Sequence, residues 1–175
     1  MGQAQDSRSH EVTTEQPIHP FHNGPYLICA VLCERVLREV DGVKTAVRMV
    51  DRVTHTVSHP NAPDEMQPFT YELSLLIRFK AGVARGRFSL TLRIEKPNGE
   101  SHPTPGFNLF FDSSDDRGVD VVVPLRMIIG LQGLYWIDVL LDGTRVTRVP
   151  LRVLYNPIRP LVASGGLNPG LPPGE

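Results

Sequence analysis

The stretch Leu131 to Leu154, LQGLYWIDVLLDGTRVTRVPLRVL, constrains the fold more than any other part of the chain. It reads as two long strands joined at Asp142-Gly143, a strong short-range hairpin signal. Tyr135, Ile137, Val139, Leu141, Val149, Leu151 and Val153 occupy alternate positions and are all apolar. A two-residue turn would pair Ile137 with Arg148 and scramble the faces. A three-residue loop, with Gly143 left-handed at a G1 bulge, pairs Tyr135 with Val149 and Ile137 with Thr147. That register gathers the apolar set on one face. It puts Trp136 on the wetter face opposite Arg148, with Arg152 nearby.

The rest of the chain supplies more sheet to cover the apolar face. In FTYELSLLIRF, Phe69, Tyr71, Leu73, Leu75, Ile77 and Phe79 alternate with mainly polar residues. RFSLTLRIE offers Phe88, Leu90, Leu92 and Ile94, and FNLFF is a short run after a Pro-containing loop. VDVVVPLRMII puts Val119, Val121, Val123, Leu125 and Met127 on one face. Pro124 has no N–H, which places that strand at a sheet edge or a bulge. YLICAVLCERVLREV is compatible with helix or strand. Asp41-Gly42 and the β-branched run VKTAVRMVDRVTHTV behind it favour a long hairpin. About eight strands, each with one buried and one wet face, predict an all-β, two-sheet antiparallel sandwich, immunoglobulin-like or C2-like.

Polar, proline-punctuated residues 1–25 read as a flexible arm, and 26–156 as the sandwich. Residues 157–175 read as a disordered tail, because the stretch from Asn156 onward carries five prolines and four glycines without periodicity. No apolar run approaches the ~18–20 residues of a membrane span. The first residues contain no apolar signal core, which makes the cytoplasm the default location. The formal net charge of -1 argues against a dedicated nucleic-acid binder, although a local basic patch fits within it.

Two pieces, CERVLREVDGVKTAVRMVDRVT and GLYWIDVLLDGTRVTRVPLRV, resemble an uncharacterised bacterial family of small sandwich proteins. The matching positions are Cys33, Glu34, Val36, Glu39, Gly42, Gly133, Tyr135, Gly143, Pro150 and Val153. The resemblance spans most of 27–155 and implies a sandwich without implying an activity. The C-terminal half also resembles immunoglobulin-like and macroglobulin-like domains.

Residues that carry chemistry are sparse. Cys29 and Cys33, four apart on a strand, stand ~13 Å from each other, too far for a disulfide. His19 and His22 form at most half of a metal site, and His55 and His59 flank a strand end. A catalytic reading would require His55 or His59 to meet Cys33 or Glu34. No nucleophile elbow or phosphate loop occurs, so no enzyme and no cofactor are expected. The acidic turn with Asp112, Asp115, Asp116 and Asp120 is the alternative site, for calcium or another ligand, but a single loop supplies few oxygens. The expected role is therefore a non-catalytic interaction or structural module. Its protein partner would dock on Trp136, Arg148 and Arg152, with nucleic acid and membrane not expected and self-association left open.

Overall fold

The structure, a computed structural model, describes residues 21, 23–112 and 117–160. Among them the chain forms ten strands. They are β1 (Tyr26–Arg38), β2 (Lys44–Met49), β3 (Arg52–Ser58), β4 (Phe69–Lys80), β5 (Gly86–Glu95), β6 (Ser101–Pro103), β7 (Phe107–Phe111), β8 (Gly118–Ile129), β9 (Gly133–Leu141) and β10 (Thr144–Ile158). One sheet has the order β2-β1-β4-β8. The other runs β3-β10-β9-β5, with β6 and β7 sharing the far side of β5. The two pack as an all-β sandwich over Leu75, Ile77, Phe79, Leu90, Leu92, Ile137, Val139, Leu151 and Val153, all fully buried.

Two elements raise the strand count above eight. The run 43–57 is not one strand: it divides at Val50-Asp51, where the chain passes from one sheet to the other. The Val50 amide bonds the Leu32 carbonyl of the first sheet, and the Asp51 carbonyl accepts the Arg152 amide of the second, each at 2.8 Å. β3 then runs parallel to β10, so the second sheet is mixed. β6 arises within the proline-containing loop behind β5. The 26–49 segment is a β hairpin, as its Asp41-Gly42 turn suggests, and β8 is an edge strand, one of the two placements that Pro124 allows.

The C-terminal hairpin buries the expected face but in a different register. Leu141 pairs with Thr144, so the turn holds only Asp142 and Gly143, both left-handed at φ 47° and 78°. The extra residue that rescues the alternation sits between Arg145 and Thr147. The ladder consequently slides by two: Tyr135 faces Leu151, Ile137 faces Val149, Trp136 faces Pro150 and Asp138 faces Arg148. A shift of two preserves the faces, whereas a shift of one would invert them. β10 also outruns the boundary at 156: Pro157 and Ile158 still pair with β3, and the Arg159 guanidinium bonds the Ala62 carbonyl and the Asp64 carboxylate.

The first hairpin does not extend flat from its sheet. Asp120 stands opposite Arg78, which stands opposite Cys29, whereas Lys44 stands opposite Arg38. A flat hairpin would hold Lys44 ~30 Å from Asp120, nine residues at the extended rise. Instead the Lys44 ammonium lies 3.1 Å from the Asp120 carboxylate. The hairpin therefore turns back over the outer face, and Arg48 on its second strand takes φ 52°. Cys33 and Leu76 lie on that outer face yet are buried.

Candidate functional site

The candidate site is the other sheet's outer face. On β9, Tyr135, Ile137 and Val139 point into the core, so Leu134, Trp136, Asp138 and Leu140 point outward. The same alternation turns Arg93 and Glu95 outward from β5, and Arg148, Pro150 and Arg152 outward from β10.

Asp138 is the centre of this face. It is 0% exposed although it lies on the solvent side, because guanidinium groups cover it. Arg93 donates from Nε at 3.1 Å and from Nη2 at 2.7 Å to Oδ2. Arg148 donates from Nε to Oδ1 at 2.6 Å and from Nη2 to Oδ2 at 3.2 Å. Arg145 approaches Oδ1 at 3.9 Å. Arg148 also reaches Glu95 at 2.9 Å, and its guanidinium carbon lies 5.2 Å from the centre of the Trp136 ring. The hydrogen bond from Arg148, followed by that from Arg93, holds the Asp138 carboxyl below its ordinary range against the opposing effect of burial. Asp138 raises the Arg148 pKa in return. The arrangement keeps Asp138 ionised and fixes planar cations at the surface, with 30–51% of their side-chain surface exposed. It is built to hold charge, not to shuttle a proton.

Trp136 and Arg148 are thus brought together, diagonally and not as a directly opposed pair. Arg152 lies farther along the same face, beside Arg52 of β3. The sequence reading missed Asp138, Arg93, Arg145 and Glu95. A signal for Asp138 existed, a lone carboxylate at an outward position inside IDVLL. Nothing local announces that β5 lies against β9, which is what delivers Arg93 and Glu95.

The acidic turn divides. Asp115 and Asp116 fall outside the described residues, and Asp112 follows β7. Asp120 accepts from Arg78 at 2.7 and 2.8 Å and from Lys44 at 3.1 Å, so both oxygens are engaged by side-chain cations. The Arg78 hydrogen bonds chiefly lower its pKa to about 2. Among the described residues no three His, Cys, Asp or Glu side chains converge as metal ligands. His55 stacks on Phe69 at 4.1 Å, the His59 ring accepts the Asn61 amide, and the Cys33 thiol donates to the Ser74 carbonyl. Burial pushes that thiol pKa up, away from nucleophilic use. No described helix is long and apolar enough to cross a membrane.

No curated protein matches the chain. Among solved structures, the Pseudomonas fluorescens alkylpurine DNA glycosylase AlkC, bound to DNA containing an abasic site analog, is similar over 57% of this chain at 12% identity and a TM-score of 0.36. The chain spans 27% of the length of that protein. Residues 28–154 match the family of unknown function DUF6941, and the chain belongs to that family.

Proposed function

We propose that this protein is a non-catalytic interaction module of the bacterial cytosol that docks a protein partner on the outer face of its six-stranded sheet, with Trp136, Arg148 and Arg152 as the contact residues. One observation carries the reading: the Arg148 guanidinium sits 5.2 Å from the Trp136 ring centre and is locked there by Asp138 and Glu95. A Trp with a pre-oriented Arg on an open sheet supplies two of the residue types that dominate interface energetics, and their mobility is already restricted before binding. Among the described residues no element crosses this face, unlike the opposite sheet with its turned-back hairpin.

The test is capture by the immobilised full chain from an extract of its host, with Trp136→Ala and Arg126→Ala as variants. Arg126 is exposed on the other sheet. A protein retained by the parent and by Arg126→Ala but lost by Trp136→Ala, with unchanged circular dichroism, supports the reading. Equal retention by all three forms rejects it.

A further inference from the structure

The docking face has a chemical bias that points to one class of partner. Val53, Leu90, Leu92, Val149, Leu151 and Val153 face the core, so the alternate positions of β3, β5 and β10 face outward. Those positions hold Arg52, Arg87, Arg93, Arg148 and Arg152, and Arg145 joins them over Asp138. On the strands of this face only Asp138 and Glu95 oppose the six arginines, which leaves it at net +4 in a chain of net charge -1. No lysine contributes.

Arg52 and Arg152 are direct neighbours in the parallel ladder. Their strands run ~4.8 Å apart, and like charges so placed destabilise a sheet. Among the described residues neither guanidinium meets a carboxylate, and the β9 neighbour of Arg152 is Leu134. Among the described residues nothing compensates this repulsion, and an anion bridging the pair would relieve it. Guanidinium groups favour planar, two-point recognition of carboxylates, as the Arg93–Asp138–Arg148 cluster on the same face displays. Leu154 and Ile158, both exposed, continue the same face beyond Arg152.

Resting on the reading that this face docks a protein, we infer that the partner presents an acidic segment interspersed with apolar side chains, its carboxylates meeting Arg52 and Arg152 and its apolar groups meeting Leu154. A nucleic acid fits the same face less well. The Trp136 ring already carries Arg148, and a phosphate backbone, charged at every nucleotide, would meet the two central carboxylates, where a peptide can set uncharged side chains. The exposed leucine and isoleucine suit a peptide.

The experiment uses the full chain and three probes: a labelled Glu-rich peptide interspersed with Leu, oligothymidylate, and phosphatidylserine vesicles. Trp136, the chain's single tryptophan, reports occupancy by its emission. The peptide is expected to bind, and to weaken about tenfold as salt rises from roughly 50 to 300 mM. Arg52→Glu combined with Arg152→Glu should lower its affinity at least about tenfold, and Arg126→Glu should not. The milder Arg52→Ala plus Arg152→Ala pair serves should the reversals disturb folding. Tighter binding of oligothymidylate or of the vesicles through the same arginines overturns the inference, as does peptide binding indifferent to Arg52 and Arg152, or none. Trp136-dependent capture that persists without peptide binding removes only this inference. Arginine-dependent peptide binding without Trp136-dependent capture removes the Trp136 docking reading instead.

Discussion

Asp138 and Arg148 face each other across the β9–β10 ladder and are joined by two hydrogen bonds, Nε to Oδ1 at 2.6 Å and Nη2 to Oδ2 at 3.2 Å. The carboxylate is buried while its partner remains partly in water. Removing the acid therefore strands no buried charge, because the guanidinium groups can hydrate. Asp138→Ala is expected to cost about 2–3 kcal/mol, at or below the low end for breaking a buried pair. Asp138→Asn, which keeps an acceptor, should cost about half of that. Arg145→Ala, at 3.9 Å and half exposed, should cost under ~0.5 kcal/mol. Urea unfolding of the three variants checks the order.

Acid should weaken the fold through the same kind of pair. Asp120 titrates at about 2 in the folded protein against an ordinary 3.8, and Asp138 is also lowered. A depressed folded pKa means stability that is complete above the unfolded value and lost as pH falls through the folded one. For Asp120 the loss falls between about pH 4 and pH 2. It amounts to roughly 1–2 kcal/mol once the partly exposed Arg78 is allowed its solvent screening. Asp120→Asn should flatten that limb of the stability profile, and an unchanged slope in urea titrations across this range would contradict the assignment.

Trp136 and Ile137 are adjacent in sequence and opposite in role. Ile137 is fully buried in the core cluster, so Ile137→Ala should cost ~2–5 kcal/mol. Trp136 is half-buried on the outer face, so Trp136→Ala should cost clearly less while removing the proposed contact. Guanidinium denaturation of both variants is the check, and a reversed order would place the docking face in the core.

Calcium is expected to leave the melting temperature of the full chain unchanged. Asp120 is committed to Arg78 and Lys44, so a cation drawing on the 112–120 turn would have to displace both. A concentration-dependent rise that disappears in Asp115→Ala plus Asp116→Ala would establish the site.

Much of this architecture is written locally. The alternation of Leu73, Leu75, Ile77 and Phe79, and of Tyr135, Ile137 and Val139, is the buried pattern itself. Pro124 limits its strand to an edge or a bulge because a missing N–H cannot be hidden in a regular central ladder, and the edge is what forms. The register of the last hairpin was not legible. A bulge at Gly143 and a two-residue turn followed by an extra residue before Thr147 both keep the apolar face together, and alternation cannot tell them apart. The division at Val50-Asp51 was hidden for a related reason: β-branched residues recur on both sides of it, in β2 and in β3, while the chain changes sheets. The site was half visible. Trp136 and Arg148 share one hairpin, whereas Arg93, Glu95 and Arg52 arrive from strands whose order no local pattern records.

The first hairpin offers a local test that global unfolding would miss. Lys44 fastens it to Asp120, and Cys33 lies fully buried on the sheet face over which it folds. Lys44→Met removes the ammonium while keeping most of the side chain's apolar length, so the hairpin should lift more often without loss of the sandwich core. Such openings cost less than global unfolding and are read by the reactivity of groups they uncover. In a Cys29→Ser background, Cys33 is then the only thiol. Its modification by an aromatic disulfide reagent should quicken several-fold in Lys44→Met, about what a loss of ~1 kcal/mol in closure gives. High salt should quicken it in the parent and change little in the variant. Should Cys33 react at the same rate in both proteins, the Lys44–Asp120 contact does not hold the hairpin down, and the burial of Cys33 must come from its packing beside Ser74 and Leu76.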